Sequence, residues 1–130
     1  MKVFVYGTLK DAYGNSYILK DAECNLLGRD VVYGYKLAYS SRPGSFPVAI
    51  PSENSEGIVG EIWDITPNPS VLVRLDALEG VSHGMYKREV VVTDGKKTAY
   101  MYTGGSKFWD FSEMISVPKR DESNLYEWSR

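Results

Sequence analysis

Residues 57–80 read GIVGEIWDITPNPSVLVRLDALEG, a stretch in which a strand pattern is followed directly by a helix pattern. The segment from Ile58 to Ile65 is rich in β-branched and aromatic residues, which predicts a strand. Its two-residue period places Glu61 on the same face as Trp63. Glu61 is therefore a candidate inward-facing carboxylate, for which structural pairing is the alternative interpretation.

The second half of this stretch predicts the clearest helix in the chain. Asn68 suits the N-cap and Pro69 suits the first turn, while Gly80 suits the residue that ends the helix. The apolar positions between them recur with helical spacing at Val71, Leu72, Leu75 and Leu78. These positions predict a helix that packs one face against a sheet.

Further strands are predicted on both sides of residues 57–80. They lie at residues 2–6, at about 31–39 and 46–50, and at 86–93 and 97–103, where Asp94-Gly95 forms the turn of a hairpin. Residues 10–23 are predicted to be a loop with one helical turn, and 40–45 and 118–123 to be loops. Many short strands with one good helix predict an α+β fold, built as a strongly curved sheet or a small mixed β-barrel flanked by short helices.

Composition limits the possible functions. The chain has 130 residues and a net charge of −2, which suits one domain spanning 1–130 and argues against nucleic-acid binding. No apolar run reaches the length of a membrane span, and the first residues lack a signal-peptide pattern. We therefore expect a cytoplasmic protein. We also expect it to be a monomer.

Metal and thiol chemistry are not indicated. Cys24 is the only cysteine and His83 the only histidine, so no disulfide and no cluster of thiolate or imidazole ligands is expected. A buried, inert Cys24 is preferred to a Cys–His nucleophilic pair. The sequence predicts neither a metal centre nor a cofactor.

Glu79 is the leading candidate for chemistry. It follows Leu75 by four residues and Leu72 by seven, so the helical period turns it toward the core with them. Burial and the negative end of the helix dipole both disfavour its charged form, so its pKa is expected to rise. A carboxyl with a pKa near neutrality can accept and return protons. The alternative is a structural ion pair with Arg88 or Arg74.

Each of the other candidate site residues also has a structural interpretation. In Tyr6-Gly7-Thr8-Leu9, Gly7 is expected to turn the chain with positive φ, so that backbone N–H groups converge on an anion. An ordinary strand-ending glycine is the other interpretation. Tyr86 and Arg88 either line a pocket or pair and pack, and His83 is more readily an exposed loop residue than a catalytic one.

Taken in order, these segments resemble the γ-glutamylcyclotransferase-like family, including its AIG2-like branch. The matching motifs are Val5-Tyr6-Gly7-Thr8-Leu9, Gly14-Asn15, Phe46-Pro47, Gly57-Ile58-Val59-Gly60-Glu61-Ile62-Trp63, Leu75-Asp76-Ala77-Leu78-Glu79-Gly80 and Tyr86-Lys87-Arg88. They extend from residue 3 to about 103, and residues 104–130 match no motif of the family.

The resemblance implies a small β-barrel flanked by helices, with the cavity between the Tyr-Gly-Thr-Leu loop and the helix end that carries Glu79. It implies a cyclotransferase that acts on a γ-glutamyl amine or γ-glutamyl peptide and releases 5-oxoproline and the free amine. Glu79 is then the catalytic acid/base. The predicted substrate-binding residues are Tyr6, Gly7, Thr8, Leu9, Pro47 and Tyr86.

The chain departs from the family after Leu9. Many members carry a basic-Gly pair and histidines there, whereas this chain has Lys10-Asp11-Ala12-Tyr13. The departure leaves the specificity for the leaving amine open. Two rival functions stay open as well: a non-catalytic small-molecule-binding domain with the same cavity, and a different lyase or transferase that uses the same carboxylate.

Overall fold

The computed structural model describes residues 1–7, 9–10, 15–39, 47–105, 109–117 and 123–128. In chain order the elements are β1 (Lys2–Val5), α1 (Tyr17–Asp21), β2 (Asn25–Tyr33), β3 (Tyr35–Tyr39), β4 (Val48–Pro51), β5 (Gly57–Asp64), α2 (Val71–Leu78), β6 (Tyr86–Val92), β7 (Thr98–Gly104), β8 (Ile115–Ser116) and β9 (Leu125–Tyr126). Single 3-10 turns occupy Val81–His83 and Phe111–Glu113. Among the described residues, no helix is both long and apolar enough to span a membrane.

Strand β1 lies in the middle of the main sheet, whose order is β2-β5-β1-β7-β6. It pairs antiparallel with β5 and parallel with β7, so both of its edges are hydrogen-bonded. Its residues Val3, Phe4 and Val5 are at most 3% exposed. A short run of apolar, β-favouring residues such as 2–6 predicts a strand that is buried on both faces, and that prediction is confirmed.

Two apolar clusters lie on opposite faces of this sheet. Val3 and Val5 point into one cluster, together with Leu75 of α2. Phe4 points into the other, together with Leu37 of β3. The alternation follows from the two-residue period of a strand, and it requires cover on both faces of β1.

The α+β class is confirmed, but the barrel is not. The described strands form two sheets, the second with the order β4-β3-β8. The main sheet curls enough for the β6–β7 turn to reach β2, where the Asp94 N–H donates to the Val31 carbonyl at 2.8 Å. This contact comes from a turn and is not part of a continuous strand ladder.

The β2–β3 region differs from its predicted boundaries. One strand was expected around 31–39, but the chain forms two strands that separate at Gly34, whose φ is +90°. The first of them begins at Asn25 because its polar residues pair along β5, from Asn25 opposite Asp64 to Tyr33 opposite Gly57. Pairing with a distant strand is a tertiary effect that local composition does not encode.

The start of α2 also differs from its prediction. Asn68 does not cap the helix; the N-cap position is Ser70, whose hydroxyl donates to Oδ1 of Asn68 at 2.6 Å. The carbonyls of Asn68 and Pro69 instead accept from Val71 and Leu72 in tight turns that precede the helix. At the other end the prediction is confirmed, since Gly80 adopts the left-handed conformation with φ of 62°.

Candidate active site

A cavity of about 90 Å³ opens where β1 ends, beside the C-terminal end of α2. The elements around it are the turn after β1, the start of β4, the end of α2 and the paired strands β6 and β7. Its lining residues are Phe4, Val5, Tyr6, Gly7, Leu9, Asn15, Pro47, Leu78, Glu79, Met85, Tyr86 and Tyr102. Among these described residues, Glu79 alone has a charged side chain.

Five of the six predicted substrate-binding residues border this cavity with Glu79. They are Tyr6, Gly7, Leu9, Pro47 and Tyr86. Thr8 lies outside the described residues, as do Gly14 and Phe46 from the motifs quoted above. The chain thus brings together positions that are up to 80 residues apart in sequence.

Glu79 follows the last residue of α2, and its backbone N–H donates to the Leu75 carbonyl at 2.9 Å. Its side chain is half-buried in the cavity wall. Burial raises the pKa of the carboxyl from its ordinary value of 4.5 to about 7. At neutral pH, protonated and ionised forms are therefore present in comparable amounts.

The ion-pair interpretation of Glu79 is wrong for Arg88. The Arg88 guanidinium pairs with Asp76 instead, with Nη1 2.9 Å from Oδ2 and 3.1 Å from Oδ1. Arg74 is exposed on the outer face of α2. Within the described part of the chain, no basic side chain lies within ion-pair distance of the Glu79 carboxylate.

Two buried tyrosines face Glu79 across the cavity. The Tyr6 hydroxyl donates to the Tyr102 carbonyl at 2.6 Å and accepts from the Ala49 N–H at 3.1 Å. The Tyr86 hydroxyl donates to the Pro47 carbonyl at 3.0 Å. Burial, and then the nearby Glu79 charge, raise the pKa of Tyr86, and burial does the same to the pKa of Tyr6. Both phenols therefore stay neutral, which leaves Glu79 as the group that titrates near pH 7.

Gly7, in the turn after β1, does not have the positive φ that was expected. A glycine fits here because the chain packs closely against Pro47, and a Cβ at Gly7 would lie 3.3 Å from Cγ of Pro47. The Lys10 N–H donates to the Gly7 carbonyl at 3.1 Å and closes the turn. Gly7 and Pro47 therefore form a tightly packed corner of the cavity.

The other residues that the sequence offered as candidates for the site do not line the cavity. His83 is exposed in the turn after Gly80, with Nδ1 3.2 Å from the Ser82 hydroxyl. Cys24 is a buried free thiol. Glu61 does not line the cavity; its charge acts on the buried Lys10, whose pKa it raises against the larger opposite effect of burial. These placements agree with the non-catalytic interpretations of all three residues.

Tyr102 and Met85 are among the lining residues that the sequence did not predict as part of the site. Tyr102 lies on β7, and its hydroxyl donates to Oδ1 of Asp76 at 2.7 Å. Met85 lines the cavity, and its carbonyl accepts from the Trp109 indole N–H at 2.8 Å. Only the pairing of β7 beside β1 brings Tyr102 to the cavity, so no local signal could have identified it.

Similarity to known proteins identifies the class of protein to which this fold and cavity belong. A sequence model described as gamma-glutamyl cyclotransferase, AIG2-like, matches residues 3–128, and the chain belongs to that family. The match continues past residue 103, where the recognisable motifs stop. The described tail agrees with this, because β8 pairs with β3 and β9 pairs with β5.

Individual relatives give the same result. The gamma-glutamylcyclotransferase family protein YtfP of Escherichia coli K12 is 35% identical over 103 residues, which cover 78% of this chain and 82% of that protein. The solution structure of ytfP from Escherichia coli has a TM-score of 0.67 at 25% identity and covers 97% of this chain and 96% of its own. An aig2-like protein of Mus musculus shares the fold, with a TM-score of 0.70, 20% identity and coverage of 99% and 95%.

Proposed function

We propose that this protein is a cyclotransferase that acts on a γ-glutamyl amine or a γ-glutamyl peptide and releases 5-oxoproline and the free amine. Membership of the gamma-glutamyl cyclotransferase family supports the reaction class. The observation that carries the proposal is Glu79, a half-buried carboxyl with a pKa of about 7 in the wall of a cavity shared with the turn after β1.

The chemistry requires one proton carrier and no protein nucleophile. The α-amine of the substrate attacks its own γ-carbonyl carbon, so the new C–N bond closes a five-membered lactam. The bond from that carbon to the leaving nitrogen then breaks, and the nitrogen takes up a proton. Both reacting groups belong to one molecule, so holding the substrate folded provides most of the proximity effect.

Glu79 can move the proton between the two nitrogens. In its ionised form it removes a proton from the attacking amine, and in its protonated form it gives that proton to the leaving nitrogen. A pKa near 7 suits both halves of the cycle, because neither form is strongly disfavoured at neutral pH. Tyr6 and Tyr86 hold their hydroxyl protons on backbone carbonyls, so we assign them to shaping the cavity and contacting the substrate.

The turn after β1 is the proposed site for the charged end of the substrate. Among the described residues that line the cavity, none carries a positive charge that could bind a carboxylate. We therefore assign backbone N–H groups of the Gly7-Thr8-Leu9 segment to the α-carboxylate or to the developing oxyanion. Pro47 packs against Gly7, and both residues line the cavity.

The test is Glu79→Gln, assayed on a panel of γ-glutamyl compounds for release of 5-oxoproline. Gln has nearly the same shape but cannot carry a proton, so we expect turnover to fall by about 10²–10⁴-fold, the usual range for a lost general acid/base. Thermal melting of the same preparation should show stability unchanged or increased, since a desolvated charge is removed.

Glu89→Gln is the matched control. Glu89 is also partly buried, but it lies on β6 outside the cavity wall and accepts from Tyr35 and Thr103, both at 3.0 Å. We expect this variant to lose stability and keep turnover, the reverse of Glu79→Gln. An active Glu79→Gln enzyme would refute the assignment, and a wild-type protein that binds γ-glutamyl compounds without cleaving them would establish the binding-domain alternative.

A further inference from the structure

Asp76 lies one turn before Glu79 on α2, and it does not line the cavity. Its carboxylate joins the helix to two strands. Oδ1 accepts from the Tyr102 hydroxyl on β7 at 2.7 Å, and both oxygens accept from Nη1 of Arg88 on β6. The Arg88 guanidinium is also held over the Tyr100 ring, 5.0 Å from its centroid.

Tyr102 connects this cluster to the cavity. It is only 3% exposed, its residue lines the cavity, and its backbone carbonyl accepts the Tyr6 hydroxyl at 2.6 Å. One residue thus contacts the helix that carries Glu79 through its side chain and the end of β1 through its main chain. Burial, followed by the hydrogen bond to Asp76, raises the pKa of Tyr102, so its hydroxyl remains a donor.

Within the described part of the chain, apolar packing at the end of α2 is limited. The helix has only eight residues, of which Val71 and Leu75 are buried. Leu78 is 41% exposed and Val73 is 73% exposed, so the last turn gains little from apolar packing beyond Leu75. The end of a short helix with one fully buried apolar residue in its last turns can fray, and such a movement would displace Glu79.

We propose that Asp76 and Tyr102 are positioning residues that hold the end of α2 so that Glu79 faces Tyr6 and the turn after β1. Arg88 completes the arrangement by neutralising Asp76 from β6. This proposal rests on the proposed function, because it assumes that Glu79 transfers the proton. The geometric part, that this hydrogen bond sets the burial of Glu79, can be tested without any substrate.

The test compares Tyr102→Phe with Tyr35→Phe. Both variants delete a hydroxyl that donates to a carboxylate, at 2.7 Å for Tyr102 and at 3.0 Å for Tyr35, whose acceptor is Glu89. Tyr35 packs against the apolar cluster on the opposite face of the sheet and does not border the cavity. A merely structural hydrogen bond predicts the same behaviour for the two variants.

Two readouts distinguish a positioning role from a structural one. The first is the split between kcat and KM for 5-oxoproline release. We expect Tyr102→Phe to lower kcat by about 10-fold or more while KM stays within about 2-fold, since displacing a catalytic group is costly and the turn after β1 is unchanged. Tyr35→Phe should leave both constants close to those of wild type.

The second readout is the pKa of the Glu79 carboxyl, followed by NMR titration of the ¹³C-labelled protein. Among the described residues, the titratable groups whose pKa the Glu79 charge raises are the Tyr6 and Tyr86 hydroxyls. The charged pair on the neighbouring elements is Asp76 with Arg88. Tyr102→Phe leaves all of these in place, so a change in the pKa of Glu79 reports its hydration. We expect this pKa to fall from about 7 toward 4.5 in Tyr102→Phe and to stay unchanged in Tyr35→Phe.

The outcomes separate the two proposals. If wild type releases no 5-oxoproline from any γ-glutamyl compound, the proposed function fails, and the titration alone decides the positioning role. If kcat and the pKa of Glu79 are the same in Tyr102→Phe as in Tyr35→Phe, the positioning role is refuted. Should Tyr102→Phe not fold, Arg88→Lys takes its place, because it keeps the charge but removes the guanidinium group whose Nη1 contacts both Asp76 oxygens.

Discussion

At the level of single residues, the raised pKa of Glu79 has a consequence for stability. Between its ordinary pKa of 4.5 and its folded value of about 7, the folded protein binds a proton that the unfolded chain has released. Stability contributed by this group is therefore complete below about pH 4.5 and is lost as pH rises toward 7. One pKa unit corresponds to about 1.4 kcal/mol, so the full effect is at most about 3 kcal/mol.

Glu79→Gln removes this titration and gives a prediction that needs no substrate. We expect wild type and variant to have similar free energies of unfolding near pH 4, and the variant to become the more stable by up to about 3 kcal/mol at pH 8. Urea unfolding across this pH range measures the difference. A difference that does not change with pH would contradict the burial of this carboxyl.

At the level of the elements, Asp30 holds the two ends of the curled sheet together. Its side chain, on β2, accepts from the Thr93 hydroxyl at 2.6 Å and from the Gly95 N–H at 3.0 Å in the β6–β7 turn. Partial burial alone would raise the pKa of Asp30, but these bonds and one from the Val31 N–H outweigh it and lower the pKa. The left-handed residue of the turn is Lys96, with φ of 65°, while Gly95 makes room for the carboxylate.

Asp30→Asn should therefore destabilise the fold. The amide keeps one acceptor oxygen but presents an N–H₂ group to donors, so at least one of the bonds to the turn is lost. We expect a decrease of about 1.5–3 kcal/mol in the free energy of unfolding at neutral pH, the usual range for hydrogen bonds to a charged group. Asp94→Asn in the same turn, where the side chain is exposed, should change stability by less than about 0.5 kcal/mol.

At the level of the whole molecule, the C-terminal segment 123–128 is hydrogen-bonded to β5 and to Lys10, which follows the turn after β1. Strand β9 pairs with β5 at Gly57 and Ile58, beyond the point where β1 stops pairing with it. Lys10, only 9% exposed, donates from Nζ to the Trp128 carbonyl at 2.7 Å. Since Lys10 follows the cavity residue Leu9 directly, the tail supports one wall of the site.

Lys10→Met tests this support. The variant keeps most of the apolar stem but leaves the Trp128 carbonyl without the buried ammonium, and Glu61 and Glu127 without its charge. We expect a loss of about 1–3 kcal/mol in stability and faster amide exchange at Leu125 and Tyr126. Lys96→Met, at an exposed lysine, is the control, and equal behaviour of the two variants would show that the tail does not depend on Lys10.

The sequence by itself determined the family, the α+β class and the inward orientation of the Glu79 side chain. Each of these depends on local order: motif spacing, the two-residue period of strands and the 3.6-residue period of helices. The inward face of α2 was readable because Leu75 and Glu79 are one turn apart, whatever the rest of the chain does. The same local rules predicted the buried β1 and the hairpin at Asp94-Gly95.

Only the tertiary structure decided which groups meet. Arg88 was an available partner for Glu79 by charge, yet the β6–β7 pairing places it against Asp76, and Tyr102 reaches the cavity through a strand almost 100 residues after Tyr6. The long extent of β2 and the anchoring of the tail at Lys10 have the same origin. Contacts between residues far apart in sequence depend on the packing of the whole chain, and no local period encodes them.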